Sequence, residues 1–247
     1  MCGRFTLSTD TQQVARHFQV LIPDALFGPR FNVAPSQAVP VVLRPPDQRD
    51  RQLQLMKWGL VPPWSSGGRP GPINARSETA ATQPMFRHAF KHRRCLIPAD
   101  GFFEWSAPPS PTAPEHACGS APSLFDPAPA APPKPRKPPP KPPHLLRLRG
   151  HRLFAFAGLY ERKGDVTTVT VLTTNANDLL RPIHDRMPVI LPPDAYDAWL
   201  DPDTTDVGPL QHLLRPYPAD DMTDTLVSTR VNSPRADDPR CIESTTA

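Results

Sequence analysis

The second residue of the chain is a cysteine, and its position gives it a distinctive chemistry. Removal of Met1, which is usual when a small residue follows, leaves an α-amine and a thiol on one residue. Because the pKa of an α-amine is about 7.7–8.0, against about 10.4 for Lys, part of it is unprotonated at neutral pH. Such a 1,2-aminothiol condenses with an aldehyde to a Schiff base, on which the sulfur closes a thiazolidine ring. The alternative is that Cys2 is incidental.

Three further polar residues lie in apolar or turn-like surroundings. Asn74 lies in GPINARSET, Glu104 between Phe and Trp in ADGFFEW, and His184 in RPIHDRMPVIL. Aromatic neighbours desolvate a carboxylate and raise its pKa toward the range useful for acid–base catalysis. A His exchanges protons near neutral pH. Together with Cys2 these residues form a candidate catalytic group; the alternative is that each is a satisfied polar residue at the end of an element.

Arginine and tryptophan residues close to these positions suit nucleic acid. Arg4, Arg76 and Arg186 are candidate phosphate ligands, because a guanidinium pairs with phosphate through two hydrogen bonds. Trp58 and Trp64 bracket a Gly and two Pro in MKWGLVPPW, a rigid aromatic turn suited to stacking on bases. The alternative is that both tryptophans are core anchors.

Composition and charge narrow the class of protein. The 247 residues carry a net charge of +4, which favours a polyanionic partner. The basic run 87–94 has a simpler interpretation as a solvated helix face. The chain lacks both an apolar run long enough for a membrane span and a signal peptide, so we expect a cytoplasmic protein. The four cysteines have no zinc-site spacing and are expected to be free thiols.

Proline is concentrated in one stretch. Of the 37 Pro residues, many lie in residues 107–143, which predicts a disordered insertion within one domain spanning residues 1–247. Its contact with nucleic acid or another partner is a second possibility. The flanks alternate strands and helices without a regular βαβ order, which predicts an α+β fold. Helices are expected over 8–18, from near 84 through 94, around 176–180 and around 194–200; strands are expected over 37–43, 53–61, 94–99, 102–105, 151–160 and 166–174.

The motifs, taken in order, resemble one family. They are MCGRF at 1–5, FNVAPSQ at 31–37, MKWGLVPPW at 56–64, INARSET at 73–79, RCLIPADGFFEW at 94–105, AFAGLYE at 155–161, TTNAN at 173–177 and IHDRMPVIL at 183–191. This set is similar to the SRAP family, the SOS response-associated, abasic-site-processing proteins. The resemblance implies a single domain of curved, mostly antiparallel sheets with peripheral helices. The insertion at 107–143 departs from the family pattern.

The resemblance also implies roles for the candidate residues. Cys2 would be the nucleophile that forms a thiazolidine with the aldehyde of an abasic site in single-stranded DNA, and Asn74 would orient its amine or the sugar. Glu104 would act as acid and base, and His184 would assist opening of the sugar ring. Arg4, Arg76 and Arg186 would hold flanking phosphates, and Trp58 would favour single-stranded DNA.

The resemblance further implies a monomer that needs no cofactor or metal and that associates with the nucleoid when it is on DNA. It also implies that the protein removes its own Met1 and has a weak lyase activity as a side reaction.

Two other hypotheses stay open. One is a cysteine hydrolase acting on peptide bonds in trans, with Cys2, His184 and Asn74 or Glu104 in triad-like roles. The other is a noncovalent DNA-binding module in which Cys2 has no role.

Overall fold

The structure, a computed structural model, describes residues 2–21, 27–65, 71–107 and 140–245. Most of the predicted insertion, residues 108–139, and also Met1 lie outside these ranges. The strands are β1 (Phe5–Leu7), β2 (Arg30–Val33), β3 (Ala38–Leu43), β4 (Gln52–Trp58), β5 (Asn74–Arg76), β6 (Arg94–Ala99), β7 (Gly101–Trp105), β8 (Pro143–Leu148), β9 (Phe154–Lys163), β10 (Val166–Asn175), β11 (Arg186–Pro188), β12 (Ile190–Leu191) and β13 (Met222–Leu226). The α-helices are α1 (Thr11–Phe18), α2 (Ser77–Ala80), α3 (Arg87–His92), α4 (Tyr196–Leu200) and α5 (Val207–His212).

Two sheets make up the fold, and strands outnumber helices, so the predicted α+β class with mostly antiparallel sheets is confirmed. The first sheet has the order β13-β8-β7-β1-β2, with antiparallel neighbours throughout. β7 and β8 pair directly, although the insertion separates them in sequence. Both flanks of the insertion therefore belong to one sheet, and Pro143, its last predicted residue, already begins β8.

The second sheet closes on itself. β10 pairs with β4, β4 with β3, β3 with β6, β6 with β9, and β9 again with β10. Closure leaves these five strands with few unpaired edges. The long strands β9 and β10 are rich in apolar, aromatic and β-branched residues, which suits a strand buried on both faces.

The main core lies between the two sheets. It contains Cys2, Phe5, Trp58, Phe102 and Phe156, all fully or almost fully buried. Phe5 meets Trp58 and Phe156 edge-on, at ring-centroid distances of 5.3 and 5.8 Å. Burial of each large apolar side chain contributes about 1.5–3 kcal/mol to the stability of the fold. Phe5 therefore anchors the segment that carries Cys2, three residues before it.

Helix α1 confirms the first predicted helix, and its N-cap is Asp10. The Asp10 side chain accepts a hydrogen bond from the backbone N–H of Gln13 at 2.9 Å. The helix ends at Gln19, which takes a left-handed conformation with φ 55°. A capped terminus satisfies backbone groups that would otherwise lack partners.

Other predicted elements differ from the structure. The helix expected around 176–180 is wrong: the segment forms turns, in which the Asn177 side chain accepts the backbone N–H of Leu180 at 3.1 Å. Asn side chains compete with helical hydrogen bonds in this way. The helix expected from near 84 begins only at Arg87, whereas the one expected around 194–200 is confirmed as a 3₁₀ turn followed by α4.

The described cysteines, Cys2, Cys95 and Cys241, are free and buried; Cys118 lies outside the described residues. None of the helices within the described ranges is long and apolar enough to span a membrane.

Candidate active site

Cys2 lies directly before β1, against the strand that carries Glu104. β1 pairs with β7 through Phe5 and Phe102, and the backbone N–H of Phe103 donates to the carbonyl of Arg4 at 3.0 Å. The Cys2 side chain is fully buried. Burial, and next the nearby charge of Glu104, raise the pKa of the Cys2 thiol far above its usual range. The thiol is therefore protonated at neutral pH and needs a base before it can attack.

Asn74 holds the backbone of Cys2. Its Nδ2 donates to the Cys2 carbonyl oxygen at 2.8 Å. The Oδ1 of Asn74 is buried and has no hydrogen-bond partner within the described ranges, so it can accept one from a ligand. β5 places Asn74 there because it runs parallel to β10, with Asn74 opposite Val171.

Glu104 is 2% exposed on β7. Burial raises its pKa to about 7, and the charge of Asp185 also raises it. A carboxyl group with this pKa exists in both protonation states at neutral pH, so it can accept and donate protons in turn. The sequence expectation of a raised pKa thus has a physical cause in the structure.

His184 lies in the same electrostatic neighbourhood, because Asp185 acts on the pKa of both His184 and Glu104. Burial lowers the pKa of His184, and the charge of Asp185 opposes this. Nδ1 of His184 lies 3.0 Å from the backbone N of Arg186 and 2.8 Å from Asp185 Oδ1. The two contacts require different protonation states: a neutral ring accepts from Arg186, whereas a protonated ring donates to Asp185.

The three candidate arginines differ in how their side chains are engaged. Arg186 is 9% exposed and forms a two-pronged ion pair with Glu78, at 2.7 and 2.8 Å. Nη1 of Arg4 donates to Asn32 Oδ1 at 2.9 Å and to the Val231 carbonyl at 2.7 Å. Arg76, on β5, is exposed. A role in phosphate binding stays a prediction for all three.

Trp58 and Trp64 have opposite environments. Trp58 is 1% exposed and its Nε1 donates to the Ile73 carbonyl at 2.9 Å, directly before Asn74. Its rings contact protein, so Trp58 positions β5; its predicted preference for single-stranded DNA stays a prediction. Trp64 is 68% exposed. The interpretation as core anchors holds for Trp58 alone.

A glycine makes this arrangement of β5 possible. A Cβ at Gly71 would lie 1.7 Å from the Leu60 carbonyl oxygen, so no larger residue fits. The backbone N–H of Leu60 donates to the Pro72 carbonyl at 3.1 Å, which joins the segment after Trp58 to the one before Asn74.

Sequence reasoning missed two acidic residues of the site. Glu78 neutralises Arg186 across 108 positions, and Asp185 modulates the protonation of Glu104. Neither role has a signal in the sequence, because each depends on which strands become neighbours. In the described part of the chain no three metal-ligating side chains cluster together.

Comparisons with known proteins agree with this arrangement. Residues 1–234 match the family model described as SOS response associated peptidase (SRAP). The chain is 39% identical over 253 residues to the abasic site processing protein YoqW of Bacillus subtilis, covering 99% of this chain and 100% of that protein. It is 30% identical over 210 residues to the abasic site processing protein YedK of Escherichia coli, covering 81% of this chain and 79% of that one.

A solved structure supports the fold. A protein from Bacteroides thetaiotaomicron superposes with a TM-score of 0.76 at 21% identity, over 98% of this chain and 99% of that one. The fold and the candidate site define a small α+β protein with a buried cysteine, Cys2, directly before its first strand. The chain belongs to the SRAP family.

Proposed function

We propose that this protein processes abasic sites in single-stranded DNA, and that Cys2 forms a covalent thiazolidine with the lesion after Met1 has been removed. The relatives named above carry abasic site processing in their names. The proposal depends on one observation about Cys2. Glu104 is close enough to raise the pKa of its thiol, and the Asn74 side chain donates a hydrogen bond to its carbonyl oxygen.

The chemistry requires a group that exchanges protons at neutral pH. The α-amine of Cys2 adds to the aldehyde of the ring-opened deoxyribose, and the resulting hydroxyl leaves as water after it takes a proton from Glu104. The carboxylate so formed accepts the thiol proton, and the sulfur adds to the iminium carbon to close the ring. Glu104 is then protonated again. A carboxyl group whose pKa is raised by burial suits both halves of this cycle.

The remaining residues prepare and hold the substrate. The abasic sugar rests mainly as a closed hemiacetal, and His184 assists its opening. Arg4, Arg76 and Arg186 hold the flanking phosphates, with Arg76 the most accessible of the three. We assign base stacking to the exposed Trp64 in addition to the predicted role of Trp58.

The N-terminus decides whether this chemistry is available. We include removal of Met1 by the chain itself in the proposal, with weak lyase action as a side path from the Schiff base. Mass spectrometry of the purified protein should show a chain that begins at Cys2. A mature chain that retains Met1 would contradict the proposal, because its free amine and the Cys2 thiol could not close a five-membered ring.

The direct test is a denaturing gel with a single-stranded oligonucleotide that carries one abasic site. The wild type should form an adduct that survives denaturation, and Cys2→Ala should form none. Cys2→Ser and Cys2→Ala both keep the amine, so each should give an adduct only after borohydride reduction of the Schiff base. Cys241→Ala, which removes another buried thiol, is the matched control and should crosslink like the wild type. A stable adduct with Cys2→Ala would overturn the proposal.

The hydrolase hypothesis gives a different product. Mass spectrometry of the modified Cys2 should show the mass of the sugar fragment. An acyl-enzyme, with turnover of a peptide in trans, would instead favour a cysteine hydrolase.

A further inference from the structure

A second histidine lies on the Glu104 face of the first sheet. Glu104 on β7 is the register partner of His144 on β8, and Leu146 on β8 is the partner of Asp224 on β13. Alternate residues of a strand share a face, and directly opposed residues point to the same side. Glu104, His144 and Asp224 therefore lie on one face, as does Ser106, two residues after Glu104.

That face is the one that contains Cys2. Phe102, two residues before Glu104, and Leu146, two residues after His144, belong to the same core cluster as Cys2. Opposed Cβ atoms in an antiparallel pair are about 5 Å apart. The Cβ atoms of His144 and Glu104 are thus near neighbours, with His144 one strand further from Cys2.

His144 is held by hydrogen bonds at both ring nitrogens. Nδ1 lies 2.9 Å from Asp224 Oδ2 and 3.0 Å from Oδ1, and Nε2 lies 3.1 Å from Ser106 Oγ. Because a carboxylate accepts and cannot donate, the ring proton of neutral His144 resides on Nδ1. Nε2 is then the basic nitrogen, and the Ser106 hydroxyl donates to it.

This arrangement of partners is the one that a general base requires. A carboxylate behind an imidazole fixes its orientation and stabilises the protonated ring once a proton arrives. The side chain of His144 is 13% exposed and that of Asp224 26%, so the pair has limited access to solvent. Ser106 directly follows β7, and a hydroxyl hydrogen-bonded to Nε2 has the chemistry to relay a proton to that nitrogen.

Opening of a cyclic hemiacetal needs two proton transfers at two oxygens. A base removes the proton of the anomeric hydroxyl, and an acid donates a proton to the ring oxygen as the bond between that oxygen and the anomeric carbon breaks. The electron pair of the O–H bond forms the aldehyde C=O. One imidazole cannot accept one proton and donate another at the same moment. Protonated His184, whose Nδ1 donates to Asp185 Oδ1, can give its Nε2 proton to the ring oxygen and return to the neutral form.

We propose that His144, oriented by Asp224 and acting through the Ser106 hydroxyl, is the base that removes the anomeric proton of the closed abasic sugar, while His184 is the acid. This inference rests on the proposed abasic-site function and adds a residue, His144, that lies outside the motifs of the family. His144 acts only in opening of the sugar ring, whereas Glu104 transfers the protons when the thiazolidine ring closes on Cys2.

The test compares two oligonucleotides that differ only in the lesion. One carries the natural cyclic abasic deoxyribose, and the other carries an open-chain aldehyde on the same backbone, which needs no ring opening. His144→Gln should slow adduct formation on the cyclic lesion by roughly tenfold or more. The same variant should react with the open-chain aldehyde at the wild-type rate. Asp224→Asn and Ser106→Ala should show the same selectivity with smaller effects.

The outcomes separate this inference from the function on which it rests. If His144→Gln changes the rate by the same factor on both lesions, or changes neither rate, His144 does not act in ring opening. Either result would overturn its role and leave the crosslink chemistry intact. A wild type that reacts with neither lesion would overturn both. Thermal unfolding of each variant checks that it folds, and His212→Gln, at the end of the exposed helix α5, serves as a histidine control.

Discussion

The side chain of Asn74 donates a hydrogen bond of 2.8 Å to the main-chain carbonyl of Cys2, 72 positions earlier in the chain. This contact ties the segment before β1 to β5, which pairs with β10 of the second sheet. Termini are poorly ordered unless such contacts hold them. In the proposed reaction, the contact would hold the amine and thiol of residue 2 in a fixed orientation toward the substrate.

Asn74→Ala should slow adduct formation by up to about tenfold, because a neutral hydrogen bond contributes roughly 0.5–1.5 kcal/mol. Single-turnover rates on abasic single-stranded DNA measure the effect. Asn232→Ala removes an amide that accepts from Trp105 instead, and should leave the rate unchanged. An Asn74→Ala rate equal to that of the wild type would show that the contact does not orient Cys2.

The raised pKa of Glu104 predicts a pH dependence of stability. The folded-state pKa is about 7 against an ordinary value of 4.5, so the folded protein binds more protons than the unfolded chain between these values. The free energy of unfolding should therefore fall as pH rises from about 4.5 to about 7, by up to roughly 3 kcal/mol from this group.

Glu104→Gln mimics the protonated form and removes this dependence. Its free energy of unfolding relative to the wild type should rise with pH across the same window in chemical denaturation. The wild-type crosslinking rate should also show a break near pH 7 that the variant lacks. Parallel stability profiles for the two proteins would contradict the raised pKa.

Substitution of each tryptophan of MKWGLVPPW should have a different effect, one on DNA binding and the other on the stability of the fold. Trp64→Ala should weaken binding of a single-stranded oligonucleotide with a non-reactive abasic analogue by about fivefold or more, since stacking on a base contributes about 1–3 kcal/mol. Its melting temperature should match that of the wild type, because Trp64 is exposed. Trp58→Ala should instead lower the free energy of unfolding by about 3–5 kcal/mol. Fluorescence anisotropy and denaturant unfolding measure the two effects, and a stable Trp58→Ala protein with selective loss of binding would reverse this assignment.

Arg76 should contribute to affinity through phosphate contact alone. For Arg76→Ala, the slope of log affinity against log salt concentration should decrease by about 0.7 on single-stranded DNA, since one counterion-releasing contact is lost. Arg16→Ala is the control, because Arg16 is an exposed cation on α1, which packs on a different core cluster from the one that contains Cys2. An unchanged slope would show that Arg76 does not contact DNA.

The local pattern was sufficient for the long elements. The β-branched run of β10 and the apolar run of β6 predict strands, and Asp10 marks the start of α1. The very short strands β1, β5 and β12 went unpredicted, because two or three residues carry no periodicity and exist only through their partners.

The sequence by itself determined the proposed chemistry of Cys2, because the amine and thiol that removal of Met1 would leave on one residue depend only on covalent position. It also placed Asn74, Glu104 and His184 in distinctive motifs. Tertiary structure alone decided that Trp58 is buried and Trp64 exposed, that Glu78 neutralises Arg186, and that His144 faces Glu104 with Asp224 behind it. The physical reason is that these relationships depend on strand order and register, which arise from pairings between segments tens of residues apart and leave no local trace.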